Sequence, residues 1–431
     1  MKVKSKRLLS MFLSVAVITG LAVGCGSANP ETSTEISSET STETSPEVSS
    51  EIKTEEIENT GEKISLLLTY SEEKKVLYQC IEDFTKETGI EVEIQYMPLE
   101  DSRKQISVMV ASGSLPDVMD IDNTDTQTYT EMGILADLTE RVEAEIETGQ
   151  YYEGVLESQK VDGKYYGLPF TANNLCLYYN KDLLEQAGAE VPATWEELLD
   201  ACEKLKAAGV TGFGVAGSQT TDTSFQMWPF IWGAGADEKT IDSEQMVEML
   251  NLYRTMVDNE YMSTEVINYV SGDNANQFTA GKTAMIIDGP WRMNAVKADA
   301  GFEWGVAQVP AGPAGEGTVL GGHNFAVVEN ENTDASWKFV KYMNSPEVMG
   351  KYSEAENYIP SRKDVCENLE YYKTEPISVF VEAMNTAKPM PKKNYNSVSD
   401  ALIKMWQKVV LGESEPEAAA KEAAETVAAL E

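Results

Sequence analysis

Between residues 64 and 122 the apolar pattern switches repeatedly between strand and helix spacing, and this alternation limits the fold more than any other feature. Ile64-Ser65-Leu66-Leu67-Leu68 reads as a buried strand. The helix after it puts Val76, Leu77, Cys80, Ile81 and Phe84 on one face and stops at Gly89. Residues 90–96, IEVEIQY, alternate as a strand does; a second helix ends near Gly113, and LPDVMDID carries a third strand out into a polar turn. Strands separated by single helices cannot pair as hairpins, because each helix returns the chain to the edge where the previous strand began. They line up in parallel, with helices on both faces, and the expected class is α/β.

The chain ahead of this region is of another kind. Lys2, Lys4, Lys6 and Arg7 precede LLSMFLSVAVITGLAV, an apolar run too short to span a bilayer comfortably that ends in small residues before Cys25. That is the pattern of an export signal. The window LAVGC resembles the bacterial lipobox, in which the cysteine becomes the lipidated first residue; the alternative is a plain signal with a chance cysteine. Residues 1–24 are therefore expected to be removed and Cys25 to carry lipid, holding the protein on the extracytoplasmic face of the cell membrane by that anchor only. Residues 25–62 continue as Ser, Thr and Glu with almost no aliphatic bulk, the composition of a disordered, self-repelling tether.

The remaining core, roughly 370 residues, is long enough for two domains. The whole chain has 34 Lys and Arg against 71 Asp and Glu, a net charge of −37, and the excess is acidic in the core as well. This argues against nucleic acid and against adsorption to anionic lipid, and is compatible with a neutral ligand. Four cysteines follow Cys25, at Cys80, Cys176, Cys202 and Cys366; no close pair suggests a zinc knuckle or redox centre, and Cys80 and Cys202 fall on apolar helix faces. In PATWEELLDACEKLKAAG, Thr194 and Glu197 form a capping-box signature, Trp195, Leu198, Leu199, Cys202 and Leu205 share a stripe, and Gly209 ends the helix. Trp195 is expected to pack rather than bind. The C-terminal EPEAAAKEAAETVAALE reads as a last amphipathic helix.

Enzyme signatures fail on their context. GFGVAG at 212–217 has the spacing of a dinucleotide loop but follows the end of a helix instead of a strand. His323 is the one histidine, which removes multi-histidine metal sites, and no G-x-S-x-G elbow accompanies it. DIDNTDTQTYTE, residues 120–131, has carboxylates at three calcium-loop places but Asp125 where the loop needs glycine. No metal, cofactor or enzymatic activity is expected. Acidic pairs for glycoside hydrolysis are cheap to find in so acidic a chain, so a secreted carbohydrate-active enzyme stays as a rival reading.

FTAGKTAMIIDGPWRMN, residues 278–294, poses a question. Ala284–Ile287 reads as a short buried strand, Asp288-Gly289-Pro290 as the turn ending it, and the largest side chain follows at once at Trp291. Either the indole plugs a helix–sheet joint or it is a flat platform at a cleft.

From about residue 64 onward the core resembles the extracellular solute-binding proteins of ABC sugar importers, the group that includes maltose-binding protein. The resemblance rests on SGSLPDVMDID, LPFTANNLCLYYNKDLLEQAG followed by PATWEELLDACEKL, FTAGKTAMIIDGPW, VPAGPAGEGTVLGGHNFAV, and ASWKFVKYMNSPEV with YIPSRKDV, in this order and spacing. It implies a two-lobed periplasmic-binding-protein-like fold of type II, with a ligand cleft between lobes joined by crossing hinge strands. Lobe one would be residues 63–172 plus 321–357, and lobe two 173–320 plus 358–431. Crossings would fall at Thr171–Asn174, Thr318–Gly322 and near Tyr358–Pro360. The implied function is capture of a carbohydrate, expected to be an oligosaccharide, by a monomer that closes on it and delivers it to an ABC permease. A non-sugar solute such as a peptide or polyamine is the alternative.

The resemblance implies site residues one by one. Trp291 matches a tryptophan that stacks on sugar: a stiff aromatic ring meets the apolar C–H face of a pyranose at little entropy cost. Asp122 matches a hydrogen-bonding position for ligand hydroxyls. Asn173 stands where maltose-binding protein has an acidic contact; Asn174 is its neighbour, and either one could point inward. Phe225 matches an aromatic contact, Trp228 a residue packed beneath it, and Trp232 could share a helix face with Trp228. Tyr395 matches a further aromatic by a looser alignment. Gly322 and His323 lie at a proposed crossing, where glycine allows close approach. Tyr70, ending the first strand, is a candidate from strand-end logic alone.

Overall fold

The computed structural model describes residues 61–71 and 73–430; Cys25, the signal and the tether lie outside the described residues. Strands β1 (Lys63–Leu68), β2 (Glu91–Tyr96) and β3 (Val118–Asp122) alternate with helices Lys75–Thr88 and Leu99–Ser112. A small hairpin, β4 (Lys160–Val161) with β5 (Lys164–Tyr165), leads into β6 (Gly167–Pro169) and β7 (Thr171–Ala172). Then come β8 (Cys176–Asn180), β9 (Thr211–Gly214), β10 (Thr283–Asp288) and β11 (Trp304–Ala307). Last are β12 (Thr318–Leu320), β13 (His323–Val327), β14 (Ile359–Pro360) and β15 (Ala387–Pro389).

The first sheet runs β2-β1-β3-β13-β6. β1 pairs in parallel with both β2 and β3, as the helix-separated strands require. The all-parallel expectation ends at β13, which is antiparallel to β3 and to β6. The cause is its route: β13 arrives from the other sheet through β12, not over a covering helix, and enters from the opposite end. Both faces of β1 are covered. Ile64, Leu66 and Leu68 pack under the helices Lys75–Thr88 and Thr333–Met343 with Phe84 and Phe339, while Leu67 joins Ile106 and Met119 on the other side. Each fully buried side chain of this kind contributes about 1.5–3 kcal/mol, which explains an unbroken apolar run in place of a polar alternation.

The second sheet runs β11-β8-β10-β9, with β8 antiparallel to β10 and β11, and β9 parallel to β10. All six residues of β10 are buried, with Met285 and Ile287 in one core and Ile286 in the other. Helix Trp195–Ala207 packs here. Thr194 Oγ1 accepts the Glu197 N–H at 3.2 Å, and Trp195 and Cys202 are buried. All four described cysteines are buried and unpaired.

The chain crosses between the two sheets at β7 and again at β12; after β14 it returns to helices packed on the second sheet, and these segments are tied together. β7 pairs with β14, and the Asn173 and Gly321 backbones exchange hydrogen bonds of 3.0 and 2.9 Å. A side chain at Gly322 would overlap the Thr171 carbonyl, so glycine is what lets these strands touch.

Candidate ligand-binding site

The C-terminal ends of β3 and β10 and the beginning of β13 converge on a cavity of about 230 Å³, with residues of both sheets' lobes in its wall. Strand ends of this kind are where α/β sheets place ligands.

The second lobe's wall is built from the turn after β10. Asp288 is fully buried; its Oδ1 accepts the Gly289 N–H and its Oδ2 the Ser271 hydroxyl, both at 2.8 Å. Tyr178 donates its hydroxyl to the Gly289 carbonyl at 2.7 Å. With both backbone groups of Gly289 held, the 3₁₀ turn Pro290–Arg292 presents Trp291 to the cavity. The indole's six-membered ring lies against Gly289 so closely that a Cβ there would overlap it. Trp291 also packs on apolar cores of both lobes. Arg292 donates from Nη2 to Ser271 Oγ at 2.9 Å and sits 3.4 Å from Asp288. Burial pushes the Asp288 carboxyl up to about 6, against the pull of Arg292. Asp222, from helix Thr221–Ala234, accepts the Ser271 N–H at 3.3 Å. Asp222 is exposed by surface area, yet the protein packed around its carboxyl desolvates it and raises it above the ordinary range.

The first lobe's wall centres on charge. Asp122 Oδ1 accepts the Thr124 N–H at 3.0 Å and the Thr124 hydroxyl at 2.6 Å, and Oδ2 has no partner among the described residues. Arg103 donates from Nε to both Asp125 oxygens at 3.0 Å and from Nη1 to Glu100 at 2.9 Å. Burial lifts the Asp125 carboxyl to about 6 although the guanidinium pulls it down. His323 Nδ1 lies 2.9 Å from Asp120, whose other oxygen accepts the Thr69 N–H at 2.9 Å. Burial works against a charged imidazole, but Asp120 outweighs it and the His323 pKa is raised. Nδ1 is thereby committed, which leaves Nε2 as the nitrogen for a ligand.

At the crossing, Asn173 is 8% exposed and lines the cavity, while its Oδ1 is buried against Gly321 with no hydrogen-bond partner among the described residues. A buried acceptor left unmade costs roughly 1–3 kcal/mol, and a turn of the amide toward the cavity would let a ligand hydroxyl satisfy it. Phe225 faces Trp291 across 6.3 Å between ring centroids, tilted 51°. Tyr395 closes the far side, its hydroxyl 3.3 Å from Ser224.

The model of the bacterial extracellular solute-binding protein family matches residues 79–377. The chain belongs to this family. A maltooligosaccharide ABC transporter solute-binding lipoprotein of Streptococcus pneumoniae is 26% identical over 381 residues, covering 84% of this chain and 88% of that one. Among solved structures, the GacH receptor of Streptomyces glaucescens, studied unliganded and with acarbose, superposes with a TM-score of 0.77 at 30% identity, covering 85% of this chain and 98% of that one. An ABC transporter solute-binding protein of Thermotoga lettingae bound with α-D-tagatose gives 0.78 at 27% identity, covering 86% and 99%. The fold is the two-lobed type II arrangement of these binding proteins, and the family places the protein outside the cytoplasm.

In this solute-binding protein the structure brings Trp291, Asp122, Asn173, Phe225, His323 and Tyr395 to one cavity. It does not bring Asn174, Trp232, Gly322 or Tyr70 there. Successive residues of an extended segment point to opposite sides; with Asn173 facing inward, Asn174 is turned away and its Nδ2 donates to the Phe380 carbonyl at 2.8 Å. Trp232 lies seven residues past Phe225, two turns and roughly 10 Å along the helix, stacked on buried Trp228 with centroids 5.2 Å apart. Gly322 serves backbone contact between crossings. Tyr70 stands one layer back, its ring 4.7 Å from that of His323 and its hydroxyl buried.

Sequence reasoning missed Arg103, Asp222, Arg292, Ser271, Thr221 and Tyr358, all in the cavity wall. Two carried a signal: Asp222 precedes Phe225 by three on a helix, and Arg292 follows Asp288 by four. Arg103 carried none, since its partners come from Glu100, Thr124, Asp125 and Thr221.

Proposed function

We propose that this protein is a lipid-anchored, monomeric receptor that captures a carbohydrate in the cavity between its lobes and delivers it to an ABC permease. The observation that carries the reading is Trp291, an indole held by a fixed turn, lining the cavity and touching the cores of both lobes. A ring in that position offers a sugar its apolar face. The acceptor Asp122 Oδ2, the donor Arg292 and the amide of Asn173 supply polar groups for the hydroxyl rim. The named relatives, whose ligands are a maltooligosaccharide, acarbose and tagatose, support the same class.

The lobes in this reading are residues 63–172 plus 321–357 and 173–320 plus 358–431. A ligand contacting both favours the closed arrangement by its differential affinity, and the closed surface is what a permease recognises. Cys25 carries the lipid and residues 25–62 the tether. A micromolar dissociation constant, about −8 kcal/mol, is within reach of one stack and several hydrogen bonds.

A thermal-shift screen over sugars, polyamines and peptides, followed by calorimetry, tests the reading. Sugars are expected to raise the melting temperature, and Trp291→Ala to abolish that shift while leaving the fold intact. Stabilisation by polyamines or peptides alone, or turnover of an oligosaccharide by the purified protein, refutes it.

A further inference from the structure

A second cavity, of about 210 Å³, adjoins the first, and Arg103 and Thr221 line both. The two residues come from opposite sides of the cleft. Arg103 belongs to the helix Leu99–Ser112 over the first sheet, and Thr221 opens the helix Thr221–Ala234 of the second lobe. They meet in a closed triangle with Glu100. Thr221 Oγ1 donates to Glu100 Oε1 at 3.0 Å and accepts from Arg103 Nη1 at 3.2 Å, while the same Nη1 donates to Glu100 Oε1 at 2.9 Å.

The two chambers differ in chemistry. The inner one holds the aromatic rings Trp291, Phe225 and Tyr395. The outer one is lined by Lys104, Gln219, Thr220, Asn396 and Asp400 and has no aromatic wall, with Gln219 Nε2 donating to Asp400 at 3.3 Å. Such a lining can hydrogen-bond hydroxyls but cannot stack. A saccharide seated on Trp291 and growing toward the outer chamber would meet the triangle first.

We propose that the Glu100–Thr221–Arg103 bridge is the specificity element that sets ligand length: it walls the inner cavity from the outer one and confines the receptor to saccharides that end at Thr221. The inference rests on the carbohydrate reading given above. The triangle also satisfies Arg103, whose guanidinium is otherwise held by Asp125 and Thr124, so the wall is braced from the first lobe and needs only the Thr221 hydroxyl from the second. As the first residue of its helix, Thr221 can be replaced by alanine without disturbing an internal helical bond.

The full chain, Thr221→Ala and Thr221→Ser are titrated calorimetrically with glucose and galactose and with linear malto- and galacto-oligosaccharides of increasing length. In the wild type, affinity is expected to drop once the chain outgrows the inner cavity. Thr221→Ala raises the affinity of the longer members relative to the shortest binder by about tenfold, on the scale of one or two hydrogen bonds and a removed clash. Thr221→Ser, which keeps the hydroxyl, retains the wild-type length profile. An unchanged profile in Thr221→Ala, or a wild type that binds long and short members alike, overturns the proposal. Small-angle scattering in sugar-free buffer supplies an arm that needs no ligand. The bridge predicts a larger radius of gyration for Thr221→Ala than for the wild type and Thr221→Ser; equal radii for all three overturn it. Failure of every saccharide to bind, with the radii differing as expected, defeats the carbohydrate reading and leaves the bridge standing.

Discussion

Gly289→Ala isolates the indole without touching it. The backbone at Gly289 is extended, with φ −97° and ψ 175°, so alanine fits the main chain without strain. The new methyl would overlap Cζ3, Cη2 and Cε3 of Trp291, and the backbone there is pinned by Tyr178 and Asp288, so the ring must swing away from its place on the cavity wall. An aromatic side chain of this size buries roughly 150–250 Å². The part turned toward a ligand, roughly 100 Å², is worth ~2.5 kcal/mol at ~25 cal/mol per Å². That corresponds to about a 70-fold weaker dissociation constant. Stability should fall by about 1–2 kcal/mol, because the lost packing of the indole against the two cores is only partly offset by the ~0.4–1 kcal/mol that alanine removes from the unfolded chain's entropy. Calorimetric titration with the best sugar from the screen, alongside urea unfolding, separates the two effects. In a double-mutant cycle Gly289→Ala should add nothing to Trp291→Ala, since both remove the same contact. Binding by Gly289→Ala within about twofold of the wild type would refute the claim that the ligand rests on this ring.

Two further outcomes concern protons. Asp288 has a folded-state value of about 6 against an ordinary 3.8, so the native protein keeps a proton that the unfolded chain releases. Its contribution to stability is full below the ordinary value and is lost as pH rises through about 6. Asp288→Asn, which preserves the acceptor for the Gly289 N–H, should flatten the decline of urea stability between about pH 4 and pH 7 by an amount on the order of 1–3 kcal/mol; an unaltered slope counts against the assignment. His323, the one histidine, gives a single set of imidazole resonances in a tag-free sample. Its NMR midpoint should lie above 6.5 because Asp120, with Asp122 behind it, outweighs burial and the repulsion of Arg103, and Asp120→Asn should bring it below 6.5. A raised value makes His323 stabilising at low pH and progressively less so as pH climbs through it; a wild-type midpoint at or below 6.5 contradicts the pairing.

β1, β2 and β3 were legible because their neighbours in space are their neighbours in sequence, and the helices between them leave one pairing available. β10 was legible for a simpler reason: a strand buried on both faces has no polar side to hide it. The direction of β13 was not, since it depends on a return path through β12 more than 140 residues after β6. Within the site, Trp291 announced itself by following a glycine–proline turn. Asn173 and Asn174 were interchangeable in sequence, and only the pairing of Asn173 with Gly321 decides which faces the cavity. Arg103 and Ser271 look like ordinary helix residues; what makes them part of a site is the company of Thr221, Asp222, Asp288 and Arg292, drawn from distant segments.

The position of β13 has a bearing on how such a chain leaves the cell that makes it. It is the strand that joins β6 to β3, so the first sheet cannot be completed until residue 327 has been synthesised. Pairings this remote close slowly, because the entropy of a long loop is lost before any contact repays it. A nascent polypeptide of this layout cannot complete that sheet while most of its length emerges from the ribosome. That suits passage through a narrow translocation pore, and locking of the two halves is deferred to the far side.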